Sequence, residues 1–141
     1  MSLRGSLVSA LIRPNKLLYR IFRPSAKIIR FYVHPLSWLG AKFFAPFGVK
    51  VNRDVFDGVS GVTFTPKKKA KSDTLIVFFH GGGYCFGSSL TTHKVGLTNM
   101  SKITGSICHS VDYRLAPEHP YPAALDDALT AWREIISRNP E

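Results

Sequence analysis

The chain has 141 residues, 45% of them hydrophobic and 20% charged, a composition that suits a single domain of ordinary size. Its net charge of +10 is unevenly placed: residues 1–53 carry ten Lys or Arg and no acid, whereas residues 54–141 carry nine of each sign. Two cysteines exclude a disulfide framework or a cysteine-built metal site, no apolar run is long enough to span a bilayer, and basic residues interrupt every candidate secretory signal.

The chain divides by composition at Asp54, into a basic, aromatic-rich segment 1–53 and a balanced segment 54–141. In the first, Arg13, Lys16, Arg20, Arg23, Lys27 and Arg30 fall at steps of three and four, which draws one cationic stripe on a helix. Pro14 and Pro24 interrupt the pattern, so short helices that each start near a proline are expected. Phe31–Phe47, with Trp38, Phe43 and Phe44, reads as another short helix. A basic amphipathic segment suits a helix lying on an anionic membrane surface, a mitochondrial presequence or a plain solvated face. The expected compartment is cytoplasmic or membrane-associated, with mitochondrial as the alternative. Nucleic-acid binding is not expected, because no recognition module accompanies the charge.

After Asp54 the pattern changes. Gly61–Thr65 alternates like a half-buried strand, and the lysine run 67–71 reads as a solvated loop. Leu75–Phe79 is apolar at every position, the mark of a strand covered on both faces of a parallel sheet. Residues 89–104 read as a helix ended by Gly105, residues 106–112 as a second central strand, and residues 122–138 as an amphipathic helix opened by Pro122. Strand, helix, strand, helix predicts an α/β fold with a mainly parallel sheet and helices on both faces.

The chemistry concentrates at His80-Gly81-Gly82-Gly83, where the apolar strand runs into three glycines. Glycine reaches φ > 0 without strain and leaves room for a substrate to approach the backbone. Fixed N–H donors facing an open space suit an oxygen that becomes anionic during reaction. A phosphate loop is excluded, since no Lys-Ser or Lys-Thr follows the last glycine. A dinucleotide fingerprint is excluded too, since the sixth position from Gly81 is Phe86.

The stretch His80-Gly81-Gly82-Gly83-Tyr84-Cys85-Phe86-Gly87-Ser88 and the later stretch Val111-Asp112-Tyr113-Arg114-Leu115-Ala116-Pro117-Glu118-His119-Pro120-Tyr121-Pro122-Ala123-Ala124-Leu125-Asp126-Asp127 resemble the hormone-sensitive-lipase-like branch of the α/β-hydrolases. The resemblance covers about residues 60–138 and implies the N-terminal part of such a hydrolase sheet, with residues 1–53 as helical cap elements over the active site or as a membrane-surface segment. It implies that Gly82 and Gly83 donate their N–H groups to the oxyanion. His80 and Gly81 would then shape the loop, with His80 orienting the turn rather than acting as base. Arg114 and Glu118, four apart, are expected to pair and hold the Pro-rich turn. Asp126 and Asp127 match supporting aspartates on the following helix. No cofactor and no metal are implied, and the substrate class is a small ester or lipid.

The departure from that family is a missing nucleophile. Its serine sits in a Gly-x-Ser-x-Gly turn, with the acid and histidine later in the chain. No such turn occurs in these residues, and the family order puts the serine beyond Glu141. A chain of this extent is therefore expected to be inactive alone. The alternative is a non-catalytic truncated product that binds lipid or an anionic membrane surface through residues 1–50. Cys85, flanked by Tyr84 and Phe86, reads as an inert thiol, Cys108 as core, and His93 and His109 as packing or surface residues rather than a base.

Overall fold

In a computed structural model, residues 25–68 and 74–139 are described. The expected helices near Pro14, most of the cationic stripe and the centre of the lysine run lie outside those residues. Helix α1 (Ala26–Phe44) starts where the Ser25 hydroxyl accepts the Ile28 N–H, and it continues through Pro35 as one 19-residue helix. The expectation of a separate short helix from Phe31 is corrected accordingly. Only Ala41 of this helix is buried; Phe31, Tyr32, Leu36, Phe43 and Phe44 face solvent. No described helix is long and apolar enough to cross a membrane.

Strands β1 (Val49–Phe56) and β2 (Val59–Pro66) form an antiparallel hairpin with Phe56 opposite Val59. Its turn, Asp57-Gly58, has positive φ at both residues (47° and 82°), the geometry that matches strand twist in a two-residue connection. β1 was not anticipated, and it crosses the composition change at Asp54. Its Lys50, Asn52 and Arg53 are exposed because β1 forms one edge of the sheet.

β3 (Leu75–Phe79) has the expected limits but is not covered on both faces: among the described residues β4 is its one neighbour, so β3 forms the other edge of the sheet and is only partly buried. β4 (Ile107–Val111) lies within the expected second strand. The sheet order is β1-β2-β4-β3. Only β3 and β4 pair in parallel; β1–β2 and β2–β4 are antiparallel. The sheet of the described residues is therefore mixed rather than mainly parallel. The reason is local: the Asp57-Gly58 turn forces antiparallel pairing, and only the β3–β4 connection contains a helix long enough for a crossover.

That crossover helix, α2 (Lys94–Thr104), begins five residues later than expected. Ser88, Thr91 and Thr92 bind one another and nearby backbone instead: Thr91 N donates to Ser88 Oγ (3.2 Å) and Ser88 N to Thr92 Oγ1 (3.0 Å). Hydroxyl side chains that satisfy backbone groups locally compete with helix formation. At the other end Gly105 adopts φ 70° and donates to Ser101 O, the left-handed stop read from the sequence. Helix α3 (Ala123–Arg138) follows Pro122 as expected.

Side-chain alternation along the central strands separates two cores. Phe56, Val59, Val111 and Tyr113 pack with Ala131 and Ile135 of α3 on one face. Val62, Phe64 and Cys108 pack with Leu97 of α2 on the other. Helices thus cover both faces, and β3 and β4 deliver their C-terminal ends to the loops that build the site.

Candidate active site

β3 ends at Phe79, and the chain turns at once through His80, which is only 3% exposed. Gly82 has φ 129°, and a side chain there would place Cβ 1.8 Å from the Phe86 carbonyl oxygen, so glycine is required. The Gly82 carbonyl accepts from both Cys85 N (3.1 Å) and Phe86 N (3.2 Å), closing a tight turn. Gly83 and Tyr84 follow in left-handed conformations, each with φ 59°. Among the described residues no group accepts a hydrogen bond from the N–H of Gly82 or Gly83.

Three contacts fix the histidine beneath this turn. His80 Nδ1 lies 2.9 Å from Gly81 O, which makes Nδ1 the donor. The ring stacks on Tyr113 at 4.3 Å between centroids, 12° from parallel, and the Tyr113 hydroxyl donates to His80 O. Close packing on its other side leaves no room for a Cβ at Gly87, which would sit 2.7 Å from His80 Nδ1. His80 is thus locked into the loop, and it also borders the cavity beside it. Burial, then the neighbouring His80, holds the His93 imidazole below its ordinary pKa.

A cavity of about 720 Å³ opens beside the loop. Gly81 and Gly83 border it, and Phe79, Tyr84, Tyr121 and Leu125 give it largely apolar walls. Its size and lining suit a small apolar ligand with few polar contacts.

The supporting residues pair differently from the sequence expectation. Arg114 does not meet Glu118. Its Nε and Nη2 grip Asp127 at 2.7–3.0 Å, and Asp127 Oδ2 also accepts the Arg114 backbone N–H at 2.8 Å. The Arg114 guanidinium, through these bonds, is the largest cause holding the Asp127 carboxyl below its usual range. Glu118 instead pairs with Arg30 of α1 at 2.9 Å. Residues four apart face each other on a helix, whereas residues 112–119 form extended chain and a turn, so the spacing had no force there. Asp126 is exposed in the first turn of α3, where a carboxylate favours the helix dipole.

Two further contacts had no signal in the sequence. Arg30 also donates Nε to Cys85 O (2.7 Å) and Nη2 to Ala116 O (2.5 Å), but in the sequence it is one member of a regular cationic stripe. Ser89, fully buried, donates N and Oγ to Asp112 Oδ1 at 2.7 Å each and ties the end of the glycine loop to β4. Cys85 is half-buried and no described histidine bonds its thiol; burial pushes the Cys108 thiol up to about 11. Among the described residues no grouping of His, Cys, Asp or Glu could hold a metal ion.

Residues 76–141 match the family model described as alpha/beta hydrolase fold. A crystal structure of an esterase from the bacterial hormone-sensitive lipase family superposes with a TM-score of 0.66 at 28% identity, over 77% of this chain and 36% of that one. This chain carries the α/β-hydrolase fold and is similar to the hormone-sensitive-lipase-like branch over that part. The chain shares 49% identity over 61 residues with Esterase LipI of Mycobacterium tuberculosis, which is 43% of this chain and 19% of that protein. It shares 43% over 70 residues with Lipase 2 of Moraxella sp., half of this chain and 16% of that protein. The matches thus span less than a fifth of the length of these two relatives, and the glycine loop, β4 and α3 of this chain all lie within the matched family segment.

Proposed function

We propose that this chain supplies the oxyanion-binding part of a carboxylic-ester hydrolase, with Gly82 and Gly83 as donors and the adjoining cavity as acyl site. The observation that carries the reading is the pair of N–H groups at Gly82 and Gly83, without described acceptors, on a loop that borders an apolar cavity. When a serine attacks an ester carbonyl, the carbonyl oxygen takes up negative charge. Two amides already held in place meet that charge without reorganising, and each such donor is worth about 3–4 kcal/mol in the transition state. His80 and Tyr113 hold the loop from below, Arg114 with Asp127 hold the turn beside it, and Phe79, Tyr84, Tyr121 and Leu125 favour an apolar acyl group. Among the described residues, those from Val49 onward form this hydrolase portion and helix α1 forms its cap. The nucleophile comes from the Gly-x-Ser-x-Gly turn of the family, which these 141 residues do not contain.

A graft tests the reading. Residues 25–139, which carry Arg30 and α1 together with the glycine loop, replace the corresponding segment of Esterase LipI, and hydrolysis of p-nitrophenyl butyrate is measured. The proposal expects turnover within about tenfold of the parent enzyme, since core segments of matched pattern are interchangeable at modest cost. A folded graft without turnover contradicts it. The 141-residue chain alone should give no turnover and no stoichiometric labelling by a serine-directed phosphonate.

One observation favours a surface role for residues 1–50 in addition: α1 presents Phe31, Leu36, Phe43 and Phe44 to solvent within an acid-free segment. Cosedimentation with phosphatidylserine vesicles that weakens as salt is raised supports that role, and equal binding to neutral vesicles opposes it.

A further inference from the structure

We infer that Arg30 is a positioning residue for the glycine loop, a clasp through which helix α1 sets where the Gly82 and Gly83 amides point. The inference deepens the ester-hydrolase reading and takes its catalytic meaning from it. Its geometry stands on three bonds from one planar guanidinium. Nε donates to Cys85 O at 2.7 Å, Nη2 to Ala116 O at 2.5 Å, and Nη1 to Glu118 Oε2 at 2.9 Å. The first acceptor lies two residues beyond Gly83, and the other two lie on the turn after β4. One side chain therefore bridges the two irregular segments that meet at the cavity.

The turn after β4 is held to α3 by Arg114 with Asp127, and His80 is held by Tyr113, but neither contact reaches Cys85, Ala116 or Glu118. The direct backbone link between them is a bond from Ala116 N to Tyr84 O at 2.8 Å, and Arg30 brackets that bond on both sides. A guanidinium can satisfy three acceptors at fixed angles, which a lysine ammonium on a flexible stem does not reproduce. The Arg30 side chain is 23% exposed, so water competes only in part for its acceptors. Tyr84, held at φ 59° between Gly83 and Cys85, is a backbone position that surrounding contacts must maintain. Arg30 contributes such contacts on both of its neighbouring strands of chain. Burial, then Arg30, then His80 lower the pKa of His34 on the next turn of α1.

The test is amide hydrogen exchange on the full chain, read residue by residue by NMR. The diagnostic amides are Cys85, Phe86 and Ala116, whose N–H groups are bonded within the clasped region. Arg30→Met should speed their exchange by about tenfold or more, with shifts of the Gly82 and Gly83 cross-peaks, while Leu97 and Ile135 amides keep their rates. Arg30→Lys should recover only part of the protection. Glu118→Gln, which leaves both carbonyl acceptors in place, should change the diagnostic rates by less than threefold and serves if Arg30→Met fails to fold. Faster exchange confined to α1, or full protection in Arg30→Lys, overturns the clasp. The readout needs no ester chemistry: an inactive graft with exchange as expected removes the hydrolase reading and leaves the clasp standing.

Discussion

Gly82→Ala is the substitution on which the site geometry bears most directly. At φ 129° an added methyl would lie 1.8 Å from Phe86 O and 2.7 Å from Phe86 C. Real Cβ contacts keep about 3 Å or more, so loop and Phe86 backbone must separate by more than an ångström, and the conformation itself costs about 1–3 kcal/mol for a residue other than glycine. That movement draws apart the Gly82 carbonyl and its two donors, Cys85 N and Phe86 N. A displacement of this size at a site of developing charge is worth about 10²-fold in rate, and loss of the donor outright about 10²–10³-fold. Gly83→Ala is the comparison: φ is 59° but nothing lies within 4 Å of the added atom, so the expected cost is only about 1–2 kcal/mol of backbone strain. In the Esterase LipI graft, kcat/KM for p-nitrophenyl butyrate should fall about 10²–10³-fold for Gly82→Ala and about tenfold or less for Gly83→Ala. Equal losses, or a Gly82→Ala variant within threefold of its parent, would refute the reasoning.

Other consequences concern the scaffold. Ile135, fully buried in the α3 face, should cost about 2–5 kcal/mol as Ile135→Ala in urea denaturation. Asp127→Asn should lower the urea midpoint through loss of its bonds to Arg114, whereas Asp126→Asn, at an exposed carboxylate, should stay within about 0.5 kcal/mol. Burial is the largest cause that lowers the pKa of His34, His93 and His109, so the unfolded chain binds more protons near neutrality. Melting temperature should then be highest above about pH 6.5 and fall on acidification below it, with a second loss below about pH 4 as Asp54 and Asp127 protonate. A melting temperature flat from pH 7 to 5 would contradict the first part.

The sequence was most legible where one physical rule acts alone. The limits of β3 follow from an unbroken apolar run, the end of α2 from a left-handed glycine, and α3 from proline followed by an apolar stripe. The glycine loop was legible because three glycines after an apolar strand have few other uses. The hairpin partner β1 was missed although Asp57-Gly58 marks its turn, because an edge strand with Lys50, Asn52 and Arg53 outward lacks an apolar signature. The start of α2 was misplaced because side-chain hydroxyls at Ser88 to Thr92 outcompete helical bonds. Arg30, Ser89 and the Arg114–Asp127 grip were hidden for a different reason. Each joins residues 13 to 88 positions apart, and spacing rules carry information only within one helix or strand.

The claim beneath all of this is that the Gly82 and Gly83 amides are aimed at an oxygen that becomes negative. A crystal structure of the Esterase LipI graft carrying a p-nitrophenyl phosphonate on its serine measures that aim directly. The phosphonyl oxygen should lie about 2.7–3.1 Å from both amide nitrogens. An oxygen bound to other donors, with the two glycine amides turned away, would contradict the account.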